Sequence, residues 1–456
     1  MRPGRRILFV SEKFPWPVDD GGQLRTFNVL KTLAGKFPVS LVALEPPSPA
    51  DEKPIRDLGV DVKTFRKVRP RWAMPWYAAQ SVLTREPYPL RKNFSRAMLA
   101  EIRRQLATGA IGALHVNQID AAQYVEHLGL AQKDSPGARR KATNVSRSDA
   151  SSRAGSSASA GASSDARSST GSDATSNASS STSSTASVPT VFDTLNVLTT
   201  MYQRLAESAR DPLRKAFCTH QWRKMGRYER ALMRSVDRVL VCSDVERELV
   251  RVWGVELAML VPNGVDIGRY AFEERAPRAS DAPPTIVFSG GMDYLPNQDG
   301  VRWFIADVMP EVKKLLPGAK LVVVGKNPPP SLVALARPNE IEITGRVDDV
   351  RPYVRAADLM VVPLRIGGGT RLKILEALAM GVPVVSTSVG AEGILVTNEK
   401  DILIADAPDA LARAIASVCT MPARARELAK NGRELVETRY DWSSVLRELV
   451  EYYDAL

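Results

Sequence analysis

Cysteine and histidine are both scarce in this chain of 456 residues, and each scarcity excludes something. The three cysteines, Cys218, Cys242 and Cys419, have no close spacing among them. That excludes a disulfide framework or a zinc knuckle and fits a reducing compartment. Three histidines, His115, His127 and His220, are too few for a His-rich metal site. No apolar run approaches the roughly 20 residues of a membrane-spanning helix. The start, MRPGRRILFV, is basic and then apolar, but the apolar part is too short for a signal peptide and runs into SEKFPWP without a cleavage pattern. It reads as a first strand. No strand is followed by a complete dinucleotide fingerprint, which argues against a dehydrogenase. Positive charge, by contrast, is plentiful: Lys plus Arg number 62 against 51 for Asp plus Glu, a formal +11 and a pI near 9.5. Such a surface favours anionic partners.

From about Ser135 to Ser187 the chain is mostly Ser, Ala, Thr and Gly. With almost no large apolar side chain to offset the entropy of ordering, this tract is expected to be disordered. Both flanks, ALHVNQIDAAQYVEHL and VPTVFDTLNVL, read as folded, so the tract is an insertion in a domain. Outside it, short apolar runs alternate with helical patterns. RRILFV, PVSLVAL, ALHV, TVFD and RVLVCS are strand candidates in the first half; TIVFSG, KLVVVG, IEITG, DLMVVPL, VPVVST and DILIA follow in the second. Near-continuous apolar runs are those of parallel strands covered on both faces. The fold class is therefore α/β, two doubly wound domains in tandem. The expected boundaries are 1–134 plus 188–267 for the first, 135–187 for the insertion and 283–437 for the second, with residues 438–456 a helix returning to the first.

In open α/β sheets ligands bind beyond the carboxyl ends of the strands, so the informative residues follow the strands. Gly21 and Gly22, after the first strand, let backbone N–H groups approach an anion at a helix start; a plain turn is the alternative. In GGGTRLKILEALAMG, glycines and a Thr lead into a helix that begins with Arg371 and Lys373. Cations oppose the macrodipole there, and an anion such as a diphosphate between them and the free N–H groups would reconcile the two. Glu376, one turn later, offers a carboxylate for two ribose hydroxyls, or pairs with a neighbouring cation. Gly291 again permits close backbone approach, and Asn297 is either a ligand contact or an N-cap. Arg346 and the backbone at Val347 lie where a nucleotide base could dock, while Asp348 or Asp349 reads as a helix cap.

Together IVFSGGMDYLPNQDGVRWF, ITGRVDDVRPYVRAADLMVVPLRIGGGTRLKILEALAMGVPVVSTSVGAEGI and LVPNGVD resemble the C-terminal domain of retaining GT-B glycosyltransferases of family 4, also called group 1. VSEKFPWPVDDGGQLRTFNVLKTLA resembles the start of the same family. The resemblance implies two Rossmann-like domains facing across a cleft, a nucleotide-diphosphate sugar as donor substrate, no cofactor or essential metal, and transfer with retention. It places Glu376 on the donor ribose and Gly21 and Gly22 at the donor diphosphate. Arg371 and Lys373 would stabilise the leaving phosphate, with the backbone of Gly369, Thr370, Arg371 and Leu372 completing the anion site. The sequence also departs from the family. Gly368 stands where a first glutamate is frequent, the stretch from Gly291 to Asn297 has no cation, and Leu195 precedes Asn196 where His is common.

The implied chemistry breaks a sugar–phosphate bond, and positioned cations and N–H groups stabilise the departing charge electrostatically. The acceptor is read less directly. Arg66 to Arg104 carries ten Lys or Arg against two Glu, with Trp72, Trp76, Tyr77, Tyr88 and Phe94 interleaved. This is either an interfacial surface near anionic lipid or a solvated basic face over core aromatics. Arg204 to Arg234 reads as a second basic, helical stretch. No RNA-recognition motif occurs, so nucleic acid is not an expected partner. The expectation is a cytoplasmic transferase with a saccharide or lipid-linked acceptor and peripheral contact at the inner membrane face, acting in cell-envelope polysaccharide or glycolipid synthesis. A catalytically weak scaffold of the same fold and a sugar-nucleotide epimerase are the alternatives.

Overall fold

The computed structural model describes residues 5–18, 20–44, 48–66, 94–130, 188–209, 211–274, 282–367 and 370–456, with single positions 81, 84, 87 and 90. The Ser/Ala-rich tract, most of the basic Arg66–Arg104 stretch, and Gly368 and Gly369 lie outside the described residues.

Two all-parallel sheets make up the described chain. The first has seven strands, β1 (Arg6–Ser11), β2 (Val39–Leu44), β3 (Asp61–Phe65), β4 (Ile111–Asn117), β5 (Thr190–Asp193), β6 (Arg238–Val241) and β7 (Ala258–Leu260), in the order β3-β2-β1-β4-β5-β6-β7. The second has six, β8 (Thr285–Ser289), β9 (Lys320–Val324), β10 (Ile341–Gly345), β11 (Leu359–Val362), β12 (Val384–Ser386) and β13 (Leu403–Ile404), in the order β10-β9-β8-β11-β12-β13. Each sheet reverses its strand order once, between β1 and β4 and between β8 and β11. Those are the points where such sheets open a crevice beyond the strand ends.

The residues explain the elements. Strands such as β2 and β4 are buried along their whole length, as helices on both faces require. The Gly21–Ala34 helix starts at Asp20, whose carboxylate accepts the Gln23 N–H. The stretch 295–315 is not one helix. It is α-helical over Leu295–Trp303, widens to a π turn over Phe304–Val308 and resumes at Met309–Leu315. Pro310, unable to donate its N–H, sits at the restart. The basic stretch after Leu198 likewise breaks in two, Leu198–Ser208 and Pro212–Ser235, at Pro212.

The chain's end packs on the first sheet. Trp442, Val445, Leu446, Leu449 and Tyr453 share one apolar cluster with Ile7, Phe9, Leu41 and Leu240. The Tyr453 hydroxyl lies 2.8 Å from His115 Nδ1 on β4.

Candidate active site

The β1 turn and the β11 turn meet across the two lobes. A Cβ on Gly21 would fall 2.8 Å from Leu372 Cδ1, the first residue of the Leu372–Ala379 helix. One helix start thus abuts the other at Gly21, where an added Cβ would push the Leu372 side chain aside. A Cβ on Gly22 would meet Gln118 Nε2 at 2.8 Å and Leu195 Cδ2 at 3.2 Å. Gln118, between β4 and the Ile119–His127 helix, has φ +66° and ψ 161°, a region that non-glycine residues occupy at a cost of about 1–3 kcal/mol and that clusters at functional sites. Leu195 therefore faces the same turn.

Arg25, one turn into the first helix, fixes the position of Gly21 and Gly22. Its guanidinium is 1% exposed and pairs with the fully buried Asp193 at 2.7 Å. It also donates to the carbonyls of Val261 at 2.8 Å and Pro262 at 3.2 Å, where the chain leaves β7 for the second lobe. Burial alone would depress the Arg25 pKa; Asp193 outweighs it and raises it.

On the facing lobe, Lys373 lies over the β8 turn. A Cβ on Gly290, at φ +150°, would stand 2.6 Å from its Nζ. Lys373 donates to Asn297 Oδ1 at 3.1 Å and sits 4.0 Å from the centre of the Phe288 ring. Asn297 Nδ2 in turn donates to the Gly291 carbonyl at 2.8 Å. Asn297 is thus the third residue of its helix, not the N-cap, which is Tyr294. Burial and the nearby Arg371 push the Lys373 ammonium down to about 7. Arg371 is the N-cap of the Leu372–Ala379 helix and is 7% exposed, and burial lowers its pKa as well. Thr370 Oγ1 is buried with no hydrogen-bond partner among the described residues. The sequence thus brings Gly21, Gly22, Gly291, Asn297, Thr370, Arg371, Leu372 and Lys373 to one gap; Gly369 lies outside the described residues.

Glu376 accepts a 2.9 Å hydrogen bond from Tyr270 Oη, and burial raises its pKa. It pairs with a hydroxyl of the inter-lobe segment, a partner neither sequence reading named. Arg346 and Val347 follow β10, an edge strand two places from the β8/β11 switch. Asp349 accepts the Arg351 N–H at 2.9 Å, but the N-cap of the Arg351–Ala356 helix is Val350 with no side-chain cap bond, so neither Asp348 nor Asp349 is the cap the sequence suggested. His115 does not reach the gap: it is fully buried, stacked 4.3 Å from Phe9, and burial pushes it down to about 4.

Two further residues at this gap were not singled out from sequence. Lys326, after β9, lies 3.8 Å from the Cβ position of Gly291 through its Cε. Its charge also helps hold the Asp20 carboxyl low, behind the nearer Lys13. Arg204, inside a stretch legible only as basic, reaches the other lobe. Its fork makes 2.6 Å bonds to both Glu392 oxygens, and Nη1 also donates to the Gly367 carbonyl. Among the described residues no group of three His, Cys, Asp or Glu side chains is placed to hold a metal ion.

Residues 283–421, within the lobe built on β8–β13, match the family model described as glycosyl transferases group 1. Among curated proteins, the chain is 28% identical over 243 residues to a glycogen synthase of Mycobacterium tuberculosis, covering 51% of this chain and 57% of that one. It is 26% identical over 239 residues to a phosphatidyl-myo-inositol mannosyltransferase of the same species, covering 49% and 62%. The chain therefore spans less than two thirds of the length of these relatives. Among solved structures, sucrose-phosphate synthase from Thermosynechococcus elongatus superposes with TM-score 0.65 at 18% identity, covering 99% of this chain and 98% of that one. HepE from Anabaena, solved with UDP and glucose, gives 0.62 at 13% identity, covering 99% and 100%. The two parallel-sheet lobes are the GT-B fold.

Proposed function

We propose that this chain transfers a sugar from a nucleoside-diphosphate sugar to an acceptor hydroxyl with retention. The observation that carries the reading is the meeting of the Gly21 turn with the start of the Leu372–Ala379 helix, beside Lys373 and Arg371. The three features are a helix start, close-approach glycines, and two cations partly or wholly withdrawn from water. Together they make a gap short of negative charge, which a diphosphate fills. In this reading residues 1–134 plus 188–267 hold the acceptor and residues 283–437 the donor.

Each group then has a task. Lys373 and Arg371 hold the two phosphates, with the backbone of Gly21, Gly22, Gly369, Thr370 and Leu372 and the Gly291–Asn297 turn around them. Glu376 keeps one carboxylate oxygen on Tyr270 and offers the other to the ribose. Arg346 and the Val347 backbone receive the base. As the bond from the anomeric carbon to the diphosphate oxygen breaks, its electron pair stays on that oxygen, where the cations stabilise it. The acceptor oxygen bonds to the same face of the sugar and its proton passes to the leaving diphosphate, so a glycoside and a nucleoside diphosphate are formed.

The test is turnover over a panel of UDP-, GDP- and ADP-sugars. Lys373→Ala and Arg371→Ala are each expected to cut turnover by about 10²–10³, the size of losing one transition-state contact. Turnover that neither substitution touches refutes the site.

The acceptor is read from the Pro212–Ser235 helix. Arg223, Arg227, Arg230 and Arg234 fall at i, i+4, i+7 and i+11, all exposed, with no carboxylate partner among the described residues. Like charges at that spacing repel one another, and an anionic lipid surface relieves them. The mannosyltransferase relative, named for a phosphatidyl-inositol acceptor, agrees with a lipid-linked acceptor in envelope glycolipid or polysaccharide synthesis. Among the described residues no helix is long and apolar enough to cross a membrane.

A further inference from the structure

We infer that Arg204 is a positioning residue that, from the first lobe, holds Gly367 in place beside the Arg371 guanidinium of the second. The part concerning a nucleoside diphosphate rests on the function proposed above.

Arg204 belongs to the first lobe, on the Leu198–Ser208 helix, yet its guanidinium donates to Glu392 and Gly367 of the second. Glu392 and Gly367 lie 188 and 163 positions away in sequence. Only a guanidinium can make this set of bonds: two parallel ones to a carboxylate and a third N–H to a carbonyl. Gly367 is not a neutral place to hold. It has φ +134°, and its Cβ position is 2.9 Å from Arg371 Nη2, so shifting this residue shifts the bed of the Arg371 guanidinium. Arg371 also reaches toward the Val389 carbonyl at 3.5 Å, three residues before Glu392. The two arginines therefore share one stretch of the second lobe.

The helix that carries Arg204 is anchored in the first lobe. It has no capping side chain of its own and borrows two buried ones. Glu229 accepts the N–H of Leu198 at 2.9 Å, the N–H of Thr199 at 2.8 Å and the Thr199 hydroxyl at 2.5 Å. Glu246 accepts the N–H of Val197 at 3.0 Å and that of Cys242 at 3.0 Å, the latter at the end of β6. The helix is thereby fixed to the first lobe's core. The Arg204–Glu392 pair is about a quarter exposed, 26% and 27%, and its two parallel bonds fix one geometry for the guanidinium. A rigid arm ending in a forked contact holds Gly367 beside Arg371.

Backbone hydrogen exchange in the ligand-free protein, read at Gly367 and Thr370–Lys373, tests this. Arg204→Ala is expected to speed exchange there while leaving Ile7–Val10 in β1 unchanged. Arg204→Lys keeps the charge and loses the fork, and is expected to behave as Arg204→Ala. In titrations with UDP and GDP both variants are expected to bind about tenfold more weakly, the worth of one charge-assisted hydrogen bond, with uridine and guanosine binding unchanged. Exchange at the turn unaltered in Arg204→Ala, or Arg204→Lys indistinguishable from the parent, overturns the inference. Faster exchange in the variants, with a parent protein that binds neither nucleotide, keeps the positioning role and rejects the donor reading.

Discussion

Lys373 shows how much a single side chain's surroundings decide. In water its ammonium would titrate at the ordinary 10.5; burial and Arg371 bring it to about 7. Below pH 7 the folded protein carries that charge at full cost. As pH rises from 7 to 10.5 the folded state releases the proton while the unfolded state still holds it, so stability rises across that window. Lys373→Met is therefore expected to raise the melting temperature of the ligand-free protein at pH 6, with the gain shrinking above pH 7 and gone near pH 10.5. A gain that does not vary with pH would show that Lys373 has the same pKa in the folded and unfolded protein. The same titration sets ligand binding: a diphosphate wants the ammonium, so its affinity is expected to fall above pH 7. From the sequence, Lys373 was legible because a cation at a helix start conflicts with the macrodipole. Tyr270 was not, because nothing local links it to Glu376, 106 residues on.

At the scale of elements, the turns rather than the strands carry the specific information. Gly325, just after β9, shows the tightest approach: a Cβ there would stand 1.8 Å from the Gly290 carbonyl oxygen. Backbone cannot yield as a side chain can. Gly325→Ala is expected to destabilise by about 3 kcal/mol or more, in the range of overpacked sites. Gly345→Ala, at φ +74° with nothing within 4 Å, is expected to cost only about 1–2 kcal/mol, the strain of a left-handed residue. Denaturant midpoints of the two variants check the contrast, and equal losses would show that space does not matter at Gly325. The eleven strands legible as apolar runs all form, since parallel strands covered on both faces must be apolar throughout. The two that were not, β3 and β7, are the edges of the first sheet. β3 alternates in exposure, and β7 has three residues, too short for a pattern.

For the whole molecule, charge and connectivity set behaviour. The Arg223–Arg234 stripe predicts salt-sensitive binding to vesicles containing anionic lipid. Replacing its four arginines by Gln is expected to abolish co-sedimentation at low salt, since each basic residue near such a surface contributes about 1 kcal/mol. Retention by the fourfold variant would move the contact elsewhere on the chain.

Sequence by itself determined the α/β alternation, the glycine turns after the strands and the misplaced cations of the Leu372–Ala379 helix. These follow from apolar periodicity, left-handed or close-packed backbone and the helix dipole, each set within a few residues. Tertiary structure alone decided that the Gly21 turn meets Leu372, that Arg204 holds Gly367 and Glu392, and that Tyr453 closes over His115 from 338 positions away. Such partners are chosen by how two sheets and their helices pack, and no local spacing encodes that.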